Sequence, residues 1–336
     1  MQDDRLLDVE NLRIVFTGDR PVIAADGISL TVRRGECLAL VGESGAGKSA
    51  TALAVAGLLG PRASVTAGGI RLDGADLALL PQKALDRVRG ARIGFVFQEP
   101  AGAFNPVRTI GSQIGEALRI HRPMGRDEAR AETLRWLARV SLAEPERVAA
   151  ARPHELSGGM LQRALIAAAL APGPELLIAD EPTTALDTTT QRQILELLRG
   201  LQRELRLGLL LITHDLGVVA AAADRVAVLY CGRVVETGPT PAVLGEPRHP
   251  YTRALRAAVP AEAPAGTGGR PRRFLTVPGS PPDPADRPAG CAFHPRCPEA
   301  LPQCATEIPA LDARGGAGSP GAVACHLFAI GGAPTA

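Results

Sequence analysis

The chain has 336 residues, longer than a typical single domain. With 46% hydrophobic and 21% charged residues it has the composition of a globular protein that buries a core, not of a disordered segment. Basic and acidic residues nearly cancel, 37 against 35, so no bulk attraction toward nucleic acid or anionic lipid is expected; no apolar run approaches the roughly 18 residues of a bilayer crossing, and the opening residues lack a secretory pattern, so a cytosolic setting is expected.

From residue 6 to about 31 the pattern alternates loosely, with turn signals at Gly18-Asp19 and Asp26-Gly27, which predicts short antiparallel strands. Residues 37–41 form an apolar run of strand length, followed by a glycine loop and an alanine-rich helical stretch from Ser49 to about Leu58. Another strand is expected at 93–97, ending at Gln98, and a helical pattern runs from 112 to about 171 with a proline stop at Pro172. Two further apolar runs, 175–179 and 208–212, are separated by a helical pattern from 190 to 205. Apolar strands alternating with helices predict a parallel sheet covered on both faces. After about Leu244 the composition changes, and 260–288 is rich in Pro, Gly and Ala, as in a linker or an irregular extension. Four of the six cysteines lie beyond it, at Cys291, Cys297, Cys304 and Cys325, whereas Cys37 and Cys231 are expected to be buried in strand-like runs.

Gly42-Glu43-Ser44-Gly45-Ala46-Gly47-Lys48-Ser49, followed by Ala50, fits the phosphate-loop pattern G-x-x-x-x-G-K-S. Its glycines let backbone amides converge on phosphate, Lys48 reaches the terminal phosphates, and the Ser49 hydroxyl suits Mg²⁺. Lysine otherwise occurs only at Lys83, so an arginine-using chain keeps a compact ammonium here. Asp180 and Glu181 close an apolar strand; alternation sends Asp180 toward a metal and Glu181 elsewhere, at an attacking water. Ser157-Gly158-Gly159 opens a long helix, with Ser157 as a natural N-cap and exposed amides that form an anion site.

In this order the three motifs resemble those of the ATP-binding cassette (ABC) ATPases. The resemblance implies an α/β cassette over residues 1–245, with a parallel-sheet core, an antiparallel β subdomain and an α-helical subdomain at about 105–170. It implies that Gln98 is the Q-loop glutamine, Asp187 the D-loop aspartate, His214 the switch histidine, and Phe16 the aromatic available to adenine. Met160 after Ser157-Gly158-Gly159, Phe104-Asn105-Pro106-Val107, the run from Thr213 to Ala220 and His249-Pro250-Tyr251-Thr252-Arg253 are similar to the ATPases of peptide and nickel importers. So is the tail, with Pro278-Gly279-Ser280-Pro281-Pro282 and Gly290-Cys291-Ala292-Phe293-His294-Pro295-Arg296-Cys297, which implies a family extension over 246–336.

The resemblance further implies an ATPase that uses ATP and Mg²⁺ held by Ser49, Gln98 and Asp180, with Glu181 as general base and His214 at the γ-phosphate. Each ATP would lie between one chain's phosphate loop and Ser157-Gly158-Gly159 of a second ATPase chain, identical or paralogous. Two membrane permease subunits and, indirectly, an extracytoplasmic solute-binding protein would be partners, with the chain peripheral at the cytoplasmic membrane face and no nucleic acid bound. A soluble ABC ATPase acting on DNA or ribosomes is the alternative, although no long coiled-coil insertion separates Ser49 from Ser157. A nucleotide kinase would leave the later motifs without a role. In a cytosolic setting the tail cysteines are not expected to form disulfides, and their spacing fits zinc, a [4Fe–4S] cluster or free thiols without choosing. The family resemblance favours the cluster.

Overall fold

The computed structural model describes residues 4–259, 277, 279–312 and 321–328. Strands β1 (Arg5–Phe16) and β2 (Val22–Arg33) pair antiparallel, and their apolar residues, among them Leu7, Val9, Leu12, Ile14, Ile28 and Val32, are buried. The expected connection near Gly18 is present, but Asp26-Gly27 is not a turn. Leu12 pairs with Ile28 and Arg13 with Asp26, so Gly27, at φ +78°, is an extra residue inside β2. A glycine bulge absorbs that residue without ending the strand, and one long ribbon replaces several short strands.

Strand β3 (Cys37–Val41) is buried throughout and leads through the glycine loop into helix α1 (Lys48–Val55). The short strands β4 (Ala63–Thr66), β5 (Gly69–Leu72) and β6 (Ala75–Asp76) extend the first sheet, in the order β2-β1-β5-β6 with β4 also on β1. Strands this short carry little periodicity, which is why they escape a reading of the sequence. Helix α2 (Gln82–Ala91) then leads into β7 (Ile93–Val96).

A helical layer follows: α3 (Pro100–Ala103), α4 (Ile110–His121), α5 (Arg126–Arg139), α6 (Pro145–Ala150) and α7 (Gly158–Leu170). The single helical pattern expected from 112 to 171 is thus cut, and the cuts have local causes. Pro123 follows the end of α4, Glu144 adopts a left-handed φ of +53° before Pro145, and Ser157 caps α7. Ile110, Ile114 and Leu118, four residues apart on α4, pack in one core with Trp136 and Leu137 of α5 and Leu161 and Leu165 of α7.

The chain continues through β8 (Leu176–Asp180), α8 (Thr188–Leu205), β9 (Gly208–Thr213), α9 (Leu216–Ala222), β10 (Arg225–Tyr230), β11 (Arg233–Pro239), α10 (Thr240–Gly245), α11 (Pro250–Ala258) and β12 (Ala322–Val323). The second sheet has the order β12-β11-β10-β3-β9-β8-β7, parallel from β10 to β7 and antiparallel at the other edge. Alternate residues of β8 serve different cores. Leu177 and Ala179 join the helical layer, while Leu176 and Ile178 face the core shared with the first sheet. Burial on both faces explains the unbroken apolar runs of these strands.

The expected boundary at 245 falls between α10 and α11. Beyond it, Tyr251 and Phe293 pack with Ala39, Val41, Val228 and Tyr230, and β12 pairs with β11 through Glu236 and Val323. The sequence-expected linker lies largely outside the described residues, as does Pro278. Cys37 is buried in β3 as expected, but Cys231 is not in a strand: it is half-buried at φ +46° in the tight connection from β10 to β11.

Candidate active site

The glycine loop joins β3 to α1, the context that aims helix amides at an anion. Gly47 adopts φ +98°, and a Cβ there would collide with the backbone oxygen of Ala24; Gly42 is closed in the same way by the backbone oxygen of Leu229. No side chain caps α1, so its first amides have no side-chain partner and point into the loop. Lys48 is 6% exposed and its Nζ donates to the carbonyls of Gly42 (2.8 Å) and Glu43 (3.0 Å). Burial lowers its pKa, against the opposing pull of Glu181, Asp180 and Glu43. Ser44 and Gly45 are exposed at the loop's crest, while Ala46 is buried and Ala50 half-buried.

Ser49 Oγ donates to Asp180 Oδ1 at 3.1 Å, so a hydroxyl and a carboxylate converge at the end of the parallel sheet. Oxygen donors of this kind suit Mg²⁺. Burial raises the Asp180 pKa, and the Ser49 hydrogen bond works against the rise. Strand β8 ends at Asp180, and Glu181 turns out of it at φ +45°. A left-handed residue, not the strand alternation expected from sequence, therefore sets the direction of Glu181. Its carboxylate accepts from Thr184 Oγ1 (2.8 Å) and Gln98 Nε2 (3.2 Å) and lies 3.0 Å from His214 Nδ1. Burial opposes its ionisation, but the bonds from His214 and Thr184 prevail and hold the pKa below the usual range.

The sequence-chosen residues therefore fall into two groups. Lys48, Ser49, Gln98, Asp180, Glu181 and His214 meet at one site. Ser157, Gly158, Gly159 and Asp187 form another. Ser157 Oγ accepts from the Met160 amide at 3.4 Å, Gly158 lies beside Leu186, Gly159 abuts Thr190, and Asp187 caps α8 by accepting from Thr189 and Thr190. Among the described residues no hydrogen bond or ion pair joins this second group to residues 42–49.

Two family profiles match the chain. Residues 25–184 match the ABC transporter family profile, and residues 235–304 match the profile for the oligopeptide/dipeptide transporter C-terminal region. A putative peptide import ATP-binding protein of Brucella ovis is 48% identical over 319 residues, covering 93% of this chain and 94% of the relative. The chain belongs to the ABC transporter family. It is an ATP-binding subunit that hydrolyses ATP. The oligopeptide transport ATP-binding protein AppD of Bacillus subtilis is 44% identical, with 91% and 92% of the two chains covered. Among solved structures, a dimeric cassette in a post-hydrolysis state with ADP and Pi superposes with TM-score 0.63 at 30% identity, over 70% of this chain and 98% of that one.

Phe16 lies at the end of β1, paired with Val22 and Ala63 and half-buried against the core behind the phosphate loop. Sequence reading missed Thr184, although a hydroxyl three residues past Glu181 was a local signal. It also missed Tyr251 and Arg296, which contact the loop from far along the chain. Tyr251 Oη accepts the Glu43 amide (2.8 Å), and Arg296 forks onto the Glu43 carboxylate (2.7 and 3.0 Å).

The four tail cysteines are free thiols gathered in one region. The Cys291 amide bonds the Cys304 carbonyl at 2.9 Å. Burial raises Cys325 to about 11, and the charges of Cys291, Cys297 and Cys304 push in the same direction. Among the described residues, no group of three or more His, Cys, Asp or Glu is spaced to hold a single metal ion.

Proposed function

We propose that this chain powers the import of peptides or similar small solutes, binding ATP at residues 42–49 and hydrolysing it when two ATPase chains close together. The observation that carries the reading is the separation of the two groups. Lys48, Ser49 and Glu181 surround one phosphate position, while Ser157-Gly158-Gly159 presents its helix amides elsewhere, so a second chain's copy completes each site. That chain is identical or a paralogue. Two permease subunits couple the closure to the membrane, with an extracytoplasmic binding protein delivering the solute, and the chain sits peripherally at the cytoplasmic face. Among the described residues no helix is long and apolar enough to cross a membrane. Residues 1–245 act as the cassette, with its helical subdomain at about 105–170, and 246–336 as the extension.

Within the closed site the loop amides and Lys48 hold the phosphates, and Phe16 packs on adenine. Ser49, Asp180 and Gln98 would ligand Mg²⁺, which neutralises phosphate charge. Glu181 takes the proton of the attacking water through the carboxylate that Gln98, Thr184 and His214 now orient. His214 exchanges its bond to Glu181 for one to the γ-phosphate, and Asp187 signals across the interface. The four cysteines of the extension would hold a [4Fe–4S] cluster with a structural role; four thiols without disulfide partners, with the Cys291 amide bonded to the Cys304 carbonyl, support this. Reconstitution with the permeases and binding protein tests the function. Peptide-stimulated hydrolysis and uptake are expected, whereas a rate unmoved by peptide but raised by DNA or ribosomes would favour the alternative.

A further inference from the structure

Glu43 places a carboxylate inside the phosphate loop, where an unpaired negative charge repels the anion that the loop must bind. Its amide is also occupied, since it donates to Tyr251 Oη. What compensates the carboxylate comes from the extension. Arg296 Nη1 and Nη2 meet its two oxygens at 2.7 and 3.0 Å, a bidentate pair whose arginine side chain is 5% exposed. The same guanidinium donates to Tyr230 Oη (3.2 Å) and to the carbonyls of Val277 (3.4 Å) and Gly279 (3.3 Å). It also lies against the rings of Tyr230 and Phe293. Its planar fork is therefore fixed from several sides, and the next residue is Cys297.

We propose that Arg296 is a positioning residue for nucleotide binding: it neutralises Glu43 and holds the phosphate loop open to ATP, making the extension part of the nucleotide site. Its removal frees a carboxylate to face the phosphates and releases the loop from its outer support. The penalty grows with phosphate charge, so ATP suffers more than ADP.

The inference rests on residues 42–49 being the phosphate loop, and Lys48→Ala tests that separately. Retained ATP affinity in Lys48→Ala would remove the loop assignment itself. With the full chain, and MgATP and MgADP as probes, Arg296→Gln is expected to weaken ATP binding on the order of tenfold and ADP binding less. Adding Glu43→Gln to Arg296→Gln should return ATP affinity to within about threefold of the parent, and Arg296→Lys, which keeps the charge but loses the bidentate fork, should lose less than about tenfold. The last two comparisons stand even if Arg296→Gln alone fails to fold. A loss of about tenfold in the double variant or in Arg296→Lys, equal losses for ATP and ADP, or parent-level ATP affinity in folded Arg296→Gln would each overturn the proposal.

Discussion

Glu181 Oε1 lies 3.0 Å from His214 Nδ1, joining the end of β8 to the turn after β9 across the mouth of the phosphate loop. In the proposed mechanism this one bond links the general base to the group that contacts the γ-phosphate. Thr184 and Gln98 bond the other carboxylate oxygen, so both oxygens of Glu181 are engaged.

Replacing Glu181 by Gln retains the shape and an acceptor for Thr184 but removes the carboxylate proposed as the base. Hydrolysis is expected to fall on the order of a hundredfold or more, while ATP still binds. Size-exclusion chromatography with MgATP should show an accumulating dimer. Turnover at the parent rate would assign the base to another residue.

If Ser157 acts on the partner's nucleotide, as proposed, its replacement by Ala should reduce hydrolysis without changing ATP affinity of the isolated monomer. Mixing Ser157→Ala with Lys48→Ala chains builds one intact composite site and one doubly broken site. Partial recovery of activity is expected in a homodimer. A mixture as inactive as either component argues that the natural partner is a paralogue or that the site is not shared.

His249 is expected to make the fold sensitive to acid. It is 1% exposed, its Nδ1 accepts the Tyr251 amide, and its Nε2 has no partner. Burial lowers its pKa to about 3, with Arg253 pushing the same way, whereas in the unfolded chain it titrates near 6.5. The folded state thus excludes a proton that the unfolded state accepts. Its contribution is complete above about pH 6.5 and is lost as pH falls toward 3. Asn at 249 keeps a cap acceptor without titrating, so the urea midpoint of His249→Asn should decline less steeply from pH 6.5 to 4.5 than that of the parent. Parallel declines would dismiss His249 as the titrating group.

Protein prepared anaerobically should be brown and carry about four irons per chain, as cysteine-ligated [4Fe–4S] clusters do. Cys297→Ser should bleach it and increase proteolysis of the extension. Stoichiometric zinc in colourless protein, or four tail thiols that titrate in metal-free protein, would each rule the cluster out.

The sequence by itself determined the residues whose chemistry is local. A phosphate loop is made of consecutive amides between a strand and a helix, and a helix cap such as Ser157 acts within three residues, so both are legible as short patterns. The two-sided apolar runs likewise announced a covered parallel sheet. Tertiary structure alone decided what depends on distant chain segments meeting. It made Asp26-Gly27 a bulge because β1 continues opposite it, and it turned Glu181 through a left-handed φ instead of strand alternation. It also brought Arg296 to Glu43 across 253 residues. Such a pair leaves no periodic trace, because its energy comes from burying two complementary charges where folded elements converge, and neither residue's neighbours in sequence encode the other's position.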